Sequence, residues 1–222
     1  GNSNIGIGYR YPFEEKFNSG SGYYFGESGT DGAYEGRIAN ANLTWEESLN
    51  ANVGVEVSLL KSLQLEADLF RHDRSQIITG LWNTLPSVIG QDLPYANNGS
   101  VLSQGFELTA THRKSVGGFN YLIKGTVSYT SNEVTYMDEV NGLNSWEYRT
   151  GQQVAQQWGL EVAEGNFFNN QTEIDAWAKS SYGTVQPGDV KYVDQNDDNI
   201  IDAQDYVPMG SPSIPQLNYG LT

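Results

Sequence analysis

The stretch 45–59 alternates apolar and polar residues, and this alternation restricts the structure that it can form. One parity carries Trp45, Leu49, Ala51, Val53, Val55, Val57 and Leu59, with Glu47 as its polar exception. The other parity carries Glu46, Ser48, Asn50, Asn52, Gly54, Glu56 and Ser58. Because successive side chains of a β-strand point to opposite faces, the pattern predicts one strand with an apolar face and a polar face. The stretch is also much longer than the strands of about 5–6 residues that globular sheets contain.

The same two-faced pattern recurs along the chain. After a break at Lys61 and Ser62, Leu63, Leu65, Ala67 and Leu69 alternate with Gln64, Glu66 and Asp68. Comparable alternation occupies residues 5–11, 106–111 and 119–130, and another strand begins at Leu217. Long two-faced strands joined by tight turns are typical of a transmembrane β-barrel, whose polar residues line a hydrated lumen. A soluble antiparallel sheet with one face on a core is the alternative.

Composition narrows the classes of protein that fit. No apolar run approaches the about 20 residues that a membrane helix needs, so any membrane span must be made of strands. The chain has no cysteine, which excludes disulfides and thiolate metal sites. Its net charge of −15 argues against nucleic-acid binding, which needs a basic surface. Fourteen tyrosines and five tryptophans suit either the aromatic girdles of a barrel or a sugar-binding surface.

The connections between the predicted strands are unequal in length. The break at Lys61 and Ser62 and the turn 115–118 are tight, whereas 72–100 and 136–215 are long. Outer-membrane barrels have short periplasmic turns and long extracellular loops, so both long connections are predicted to be extracellular. Within the second, residues 171–180 are predicted to hold a short helix. Thr172 would cap it and Asp175 would stand three residues later, as in a capping box.

The second long connection carries an acidic motif at 194–205 that resembles a calcium loop. Its oxygen donors stand at positions 1, 3, 5, 7, 9 and 12 of the motif: Asp194, Asn196, Asp198, the carbonyl of Ile200, Asp202 and Asp205. Calcium takes 6–8 oxygen ligands, which a tight loop supplies from such alternate positions. Asn199 replaces the usual glycine at position 6, and Asp205 replaces the usual glutamate at position 12. The motif predicts a structural Ca²⁺ clip; the alternative is a solvated acidic turn without metal.

Several short segments stand in a recognisable order over essentially the whole chain. They are Gly1-Asn2 with Ile5, the run 37–46 ending in Asn42-Leu43-Thr44-Trp45-Glu46, Leu85-Pro86 with Gly90, Asn98-Gly99, Gln104-Gly105-Phe106-Glu107-Leu108, Tyr148-Arg149-Thr150-Gly151-Gln152, the block 187–205, and Val207-Pro208-Met209-Gly210-Ser211-Pro212. In order and spacing the chain resembles the SusC/RagA family of TonB-dependent outer-membrane transporters, specifically the later part of their barrel.

The resemblance implies an all-β fold, an antiparallel transmembrane β-barrel segment from a 22-stranded barrel with long extracellular loops. All of 1–222 would belong to the barrel domain, while the plug domain and TonB box would lie outside this chain. Such transporters sit in the outer membrane of Gram-negative bacteria, surrounded by its lipid. They import oligosaccharide or peptide cargo under a SusD-like surface lipoprotein, with energy delivered through the TonB complex. About seven strand candidates cannot close a barrel, so we expect a piece of a transporter.

No arrangement of residues in the sequence predicts an enzyme. Its two histidines, His72 and His112, stand near a loop and a tight turn, and no serine lies in a Gly-x-Ser-x-Gly elbow. Two other classes stay open beside the importer. One is a soluble, calcium-stabilised β-sandwich that binds carbohydrate, and the other is a barrel-like adhesin. No substrate residue is assigned, because the loop aromatics can stack on sugar, contact a lid or pack the loops: Trp82, Tyr95, Trp146, Trp158 and Trp177.

Overall fold

The computed structural model describes residues 11–26, 28–60, 62–81 and 90–222. Most of the predicted strand 5–11, Lys61 of the first tight turn, Trp82 and the Leu85-Pro86 segment lie outside these residues. The chain divides into two compact units. The first comprises the chain up to Val140 together with Gln216–Thr222, and the second comprises Asn141–Pro215. No helix in the described residues has the length and hydrophobicity required to cross a bilayer.

The first unit is built from antiparallel strands in two sheets. Its strands are β1 (Phe17–Phe25), β2 (Ser28–Glu35), β3 (Glu47–Leu59), β4 (Leu63–Gly80), β5 (Tyr95–Val116) and β6 (Phe119–Tyr136), and the last strand of the whole chain, β13 (Leu217–Leu221), also belongs to it. β1 and β2 pair as a hairpin, and the other five strands form one sheet in the order β13-β6-β5-β4-β3. The antiparallel all-β class predicted from the sequence is confirmed. The 22-stranded closed barrel stays a prediction.

β4 and β5 are longer than the strands predicted from the alternation, and β4 contains a bulge. Alternation ends near His72, yet β4 continues to Gly80 and β5 begins at Tyr95. The prediction of a long loop over 72–100 was therefore wrong at both ends, because β4 and β5 occupy residues assigned to that loop. The pairing register shifts beyond Arg74, where Gln76 adopts a left-handed φ of 57°. A bulge of this kind breaks the side-chain alternation, so the alternation could not predict where β4 ends.

Asn97 fastens this bulge to the segment that leads into β3. Its side-chain amide donates to the carbonyls of Gln76 and Thr44, both at 2.8 Å. Its amide oxygen accepts from the backbone N–H of Thr44, also at 2.8 Å. Asn40 adds a 2.8 Å bond to the carbonyl of Tyr95. These contacts satisfy backbone groups that the irregular stretch would otherwise leave unpaired.

A two-residue turn joins β5 to β6 and fixes their register. Gly117 and Gly118 have φ values of 56° and 87°, the positive pair that a type I′ turn requires. Val116 faces Phe119 directly across the turn, and pairing continues to Ser100 and Tyr136, with one register shift near its far end. The predicted tight turn is confirmed, and the twin glycines explain why no larger residue stands there.

The second unit contains short strands in addition to the helix predicted within the long connection 136–215. It contains β7 (Gln157–Leu160), β8 (Val162–Phe167), α1 (Gln171–Asp175), β9 (Lys179–Ser180), β10 (Val190–Tyr192), β11 (Ile200–Ile201), a 3-10 turn at Ala203–Asp205, and β12 (Tyr206–Met209). The pairs are β7 with β12, β8 with β10, and β9 with β11 in parallel. Its buried residues include Ala163, Phe168, Ile201 and Asp205.

The helix predicted within 171–180 is present but is capped differently. Asn170, and not Thr172, is its N-cap, because the Asn170 side chain accepts a 3.0 Å hydrogen bond from the backbone N–H of Glu173. Asparagine and threonine are both good caps, so residue type alone did not separate the two positions. The helix has five residues and ends at Asp175.

Candidate functional site

The apolar residues of the five long strands fall into continuous cross-strand rows on one face. We call the three fully paired rows the apolar wall; they are Val53–Leu69–Phe106–Tyr129–Leu217, Val55–Ala67–Leu108–Val127–Tyr219 and Val57–Leu65–Ala110–Gly125–Leu221. The apolar face predicted for β3 thus extends across the neighbouring strands, because their apolar residues are paired in register with those of β3. A one-residue slip at any strand would have moved its apolar set to the other face.

The apolar wall is uncovered in the part of the chain that the structure describes. Val53, Val55 and Leu69 are 65%, 59% and 61% exposed, and Tyr219 is 83% exposed. In a β-sandwich a second sheet would bury such residues against a core. Exposed contiguous apolar surface on this scale marks contact with a membrane or another protein. The exposure therefore does not favour the soluble sandwich.

The opposite face of the sheet is polar and rich in carboxylates. Glu56 lies directly across from Glu66, and Asp68 lies directly across from Glu107. Like charges in opposed positions destabilise a sheet unless water or hydrogen bonds screen them. Gln64 supplies part of that compensation, because its amide nitrogen lies 2.7 Å from Glu56 Oε1 and 3.0 Å from Glu66 Oε1. A hydrated interior suits such a face, as the alternation predicted.

The acidic loop at 194–205 folds around its own carboxylates. The Asp194 carboxylate accepts from the backbone N–H groups of Asp198 at 3.2 Å and Asn199 at 2.7 Å. Asn196 also accepts from the Asp198 N–H at 3.2 Å, and Asp198 accepts from the N–H of Ile200 at 2.8 Å. Asn199 has a φ of 65°, the left-handed conformation that its place at position 6 demands.

The last two predicted ligands close the loop at its other end. Asp205 is completely buried and accepts from the N–H groups of Gln195 and Asp202, both at 2.8 Å. Asp202 accepts in return within a capping box that starts the 3-10 turn. Burial of Asp205 could not be predicted from the sequence, because the motif is the same whether this carboxylate faces water or backbone N–H groups.

The structure brings the six predicted ligands into one loop without gathering their carboxylates. Among the described residues, no group of three or more His, Cys, Asp or Glu side chains is arranged to hold a metal ion. Each of Asp194, Asp198, Asp202 and Asp205 is engaged by backbone N–H groups. Because the donor set also includes the Asn196 amide and the Ile200 carbonyl, it retains the oxygen chemistry that calcium prefers. Calcium binding stays a prediction.

Lys191 forms a charged cluster in the same unit that sequence reasoning missed. Its Nζ lies 2.8 Å from Glu173 Oε2, and it sits 5.3 Å from the ring centre of Phe168 and 5.7 Å from that of Trp177. The Lys191 hydrogen bond, aided by bonds from Asn169, lowers the pKa of Glu173 from its ordinary 4.5 to about 2. The partners stand on α1 and β10, so spacing along the sequence could not have paired them.

Two tyrosines stack beside the acidic loop. The rings of Tyr182 and Tyr206 are 6.4 Å apart and inclined by 12°. The pKa of Tyr182 is raised to about 12, first because its hydroxyl loses hydration at this contact. The hydrogen bond to Tyr206 and the nearby carboxylates of Asp202 and Asp205 raise it further. The shift therefore favours the neutral phenol of Tyr182 at alkaline pH.

The loop aromatics singled out from the sequence are largely engaged in packing. The indole N–H of Trp146 donates to the carbonyl of Gln204, and that of Trp177 donates to Tyr192. Arg149 lies 4.9 Å over the ring of Trp158, and Arg37 lies 4.6 Å over that of Tyr95. Trp177, Tyr182 and Tyr192 also line a cleft of about 250 Å³ above buried Phe168 and Ile201.

The two histidines belong to the long strands. His72 packs against Phe70 with ring centres 5.3 Å apart, and His112 packs against Tyr121 at 5.5 Å. His72 faces Asn50 and Ser103 across the sheet, and His112 faces Leu63 and Ile123. These positions explain both residues as parts of the sheet surface.

Long antiparallel strands with one uncovered apolar face and one acidic face have the construction of a transmembrane β-barrel wall. The chain matches the family model described as TonB dependent receptor-like, beta-barrel, over residues 3–218. It belongs to this family of outer-membrane receptors and transporters. The family membership agrees with the resemblance to TonB-dependent transporters stated from the sequence motifs.

Known proteins similar to this chain are much longer than it is. It is 27% identical over 199 residues to TonB-dependent receptor P26 of Formosa agariphila, a match that covers 83% of this chain and 19% of that protein. Its fold is similar to solved structures of the RagAB peptide transporter and of the RagAB peptide importer in the "closed-closed" state. The TM-scores are 0.64 and 0.63 at 16% identity, covering 95% of this chain and 22% and 23% of theirs. The chain therefore spans about a fifth of the length of these relatives.

Proposed function

We propose that this chain is part of the barrel of an outer-membrane importer that takes up a nutrient oligosaccharide or peptide. The observation that carries the proposal is the apolar wall, whose rows continue in register across five strands and stay exposed. Such a surface needs hydrocarbon to cover it, and the family resides in the outer membrane. The carboxylate-lined face would then border the water-filled interior through which cargo passes.

The dimensions of the apolar face support this position. On β6 the residues that alternate on the same face as the apolar wall extend from Phe119 to Tyr129. They are Phe119, Tyr121, Ile123, Gly125, Val127 and Tyr129. At about 3.4 Å per residue this stretch is about 34 Å long, which at a tilt of about 40° gives a height of about 25 Å. That height equals the apolar band of outer-membrane barrels, which is about 25 Å tall.

The unequal connections support an orientation. The two-residue turn at Gly117 and Gly118 would face the periplasm, and the second unit, Asn141–Pro215, would face the cell exterior. In this orientation the second unit stands where cargo arrives and where a SusD-like lipoprotein would close over it. TonB would act through parts of the parent protein outside this chain.

The acidic loop would stabilise the second unit as a calcium clip. Two features support this proposal: Asn199 is left-handed at position 6 of the motif, and the backbone turns around Asp194. The ligands would come from Asp194, Asn196, Asp198, the Ile200 carbonyl, Asp202 and Asp205. A bound cation would offset repulsion among the carboxylates and limit opening of a unit whose strands are short.

Uptake by cells carrying the full-length parent protein tests the import proposal. Cells with and without the parent gene are given defined mixtures of labelled oligosaccharides and peptides, and depletion of each from the medium is followed. We expect one of the two cargo classes to be taken up only with the parent gene, and only while the proton gradient that powers TonB is intact. Uptake that is equal in both strains for both classes would contradict the proposal.

A partner measurement separates the importer from an adhesin. The parent protein is extracted in mild detergent from cross-linked cells, and co-purifying surface lipoproteins are identified. We expect one stoichiometric lipoprotein that is lost when residues 141–215 are replaced by a short turn. An adhesin without transport activity would show neither the lipoprotein nor gradient-dependent uptake.

A further inference from the structure

The apolar wall contains a groove that crosses four of its strands. Its volume is about 580 Å³, and its apolar side chains come from β4, β5, β6 and β13. Small residues give the groove its depth, and larger neighbours flank them. The small residues are Ala67, Ala110 and Gly125, and the larger ones are Leu65, Leu108, Val127, Tyr219 and Leu221.

Gly125 is the point at which the space is most evident. A Cβ added at this glycine would meet no atom within 4 Å, whereas at Gly105 of the neighbouring strand it would meet the Tyr129 carbonyl at 2.0 Å. The small side chain at 125 therefore leaves room on the wall without a backbone contact that requires it. Three inter-strand spacings of about 4.8 Å make the groove about 14 Å long across the strands.

The size and lining of the groove favour an ordered hydrocarbon occupant. Clefts of about 300–1,000 Å³ hold small molecules in proteins. Apolar side chains of two adjacent rows surround this one, and Glu66, Thr109 and Thr126 also border it although they belong to the opposite parity of the strands. Water in such a groove would find few hydrogen-bond partners among the apolar side chains that line it.

Charge distinguishes the two ends of the groove. Toward the Gly117–Gly118 turn the same face carries Lys114, which pairs across the strands with Tyr121. Among the described residues of these strands, no acidic side chain stands on the wall parity between the groove and that turn. On the other side of the groove, Arg71 is paired with Asp73 at 3.7 Å. The turn end is therefore the cationic end.

We propose that the groove binds one phospholipid, with an acyl chain against Ala110 and Gly125 and the phosphate near Lys114. Four residues of strand separate Ala110 from Lys114, about 13 Å, which is within the reach of an acyl chain below its headgroup. The positive charge of Lys114 complements the phosphate. The groove would hold one acyl chain in an ordered position, whereas the rest of the apolar wall contacts fluid lipid. This inference rests on the proposed membrane position of the wall.

Groove-filling variants of the full-length parent barrel test the inference. The wild-type protein, Ala110→Leu and Gly125→Leu are purified from outer membranes in mild detergent, and bound phospholipid is counted by native mass spectrometry. Ala51→Leu is the matched control, because Ala51 is an exposed residue of the same parity on β3 outside the groove. Delipidated protein is then titrated with dioleoyl phosphatidylglycerol, for wild type and Lys114→Gln.

We expect wild type and Ala51→Leu to retain one phospholipid and both groove variants to lose it. We expect Lys114→Gln to weaken rebinding of the lipid about tenfold. Equal retention in all four barrels would overturn the proposal, as would loss in Ala51→Leu to the same extent as in the groove variants. Heat-modifiable migration and outer-membrane recovery of each barrel are measured in parallel. A failure of the membrane assignment would appear there, whereas a failure of the lipid site alone would leave them normal.

Discussion

Val55 and Tyr219 lie in the same cross-strand row although they stand on opposite edges of the five-stranded sheet. Ala67, Leu108 and Val127 connect them, and both end residues are exposed, by 59% and 83%. This row is therefore apolar across all five strands. A charged substitution at any one of its residues should place that charge against whatever covers the apolar wall.

A charge placed in this row should hinder barrel assembly. Val55→Lys is expected to destabilise the full-length barrel by about 2–4 kcal/mol in lipid, the cost of a lysine facing mid-membrane hydrocarbon. Equilibrium unfolding by urea in lipid bilayers measures it. Ser58→Lys on the opposite parity is the control and is expected to cost much less. Equal costs for the two variants would contradict the assignment of faces.

Barrel stability should depend on the glycines of the tight turn more strongly than on Gly125 in the groove. Gly118→Ala is expected to destabilise the barrel by about 1–2 kcal/mol, because φ at 118 is 87° and a left-handed residue with a Cβ is strained. Gly125→Ala is the control, since its Cβ would meet no neighbour. The same unfolding assay compares them, and a Gly125→Ala variant that is the less stable of the two would refute the turn assignment.

Removal of calcium should expose the second unit to proteases. Asp194→Ala with Asp198→Ala, or a chelator on wild type, is expected to speed cleavage within 136–215 several-fold, because the carboxylates would lose the cation between them. Peptide mapping after limited proteolysis locates the cuts. Glu164→Ala, an exposed acid of the same unit outside the loop, should change nothing. Cleavage that is insensitive to chelator in wild type would remove the calcium clip from the account.

The ion pair of Glu173 with Lys191 should make the second unit sensitive to acid. Because folding lowers the pKa of Glu173 from 4.5 to about 2, its contribution to stability is present above pH 4.5 and is lost as pH falls toward 2. Protease sensitivity near α1, measured with an acid-active protease, should rise across that window in wild type. Glu173→Gln should already be sensitive at neutral pH and lack this component of the acid response. Identical acid profiles would disprove the role given to the pair.

Tyr182 provides a test at alkaline pH. Its folded pKa of about 12 lies above its ordinary 10.0, so its contribution to stability is present below pH 10 and is lost as pH rises toward 12. Ultraviolet titration of tyrosinate in wild type and Tyr182→Phe isolates this group. Tyr206→Phe removes the hydrogen-bond partner and should lower the Tyr182 transition. An unchanged transition in that variant would show that the two hydroxyls do not interact.

Much of the fold follows from alternation, and the parts that do not have identifiable causes. Alternation located the middle of β3 to β6 because one face of each is continuously apolar. It missed the far ends of β4 and β5, where Ile77-Ile78 and Val101-Leu102 are consecutive apolar residues and Gln76 lies at a bulge. It also missed β1 and β2, whose glycine- and serine-rich segments lack an apolar face.

The second unit was harder to predict because its strands are short. β9 and β11 have two residues each and pair in parallel, so no periodicity could emerge from them. The acidic motif was visible as a list of oxygen donors, and left-handed Asn199 agrees with its place in that list. The bonds of Asp205 to Gln195 and Asp202 depend on how the loop folds. Glu173 and Lys191 meet only because α1 and β10 come together in the folded unit.

The most direct test of the central claim is the environment of alternate residues along β3. This chain has no cysteine, and any cysteine elsewhere in the parent protein is first replaced by serine. Single-cysteine variants at Val53, Gly54, Val55, Glu56, Val57 and Ser58 can then carry a fluorophore. Quenching by brominated lipid and by aqueous iodide is measured for each after reconstitution. We expect lipid quenching at 53, 55 and 57 and aqueous quenching at 54, 56 and 58. Quenching that does not alternate, or that alternates with the opposite parity, would contradict the claim that the apolar wall faces the membrane.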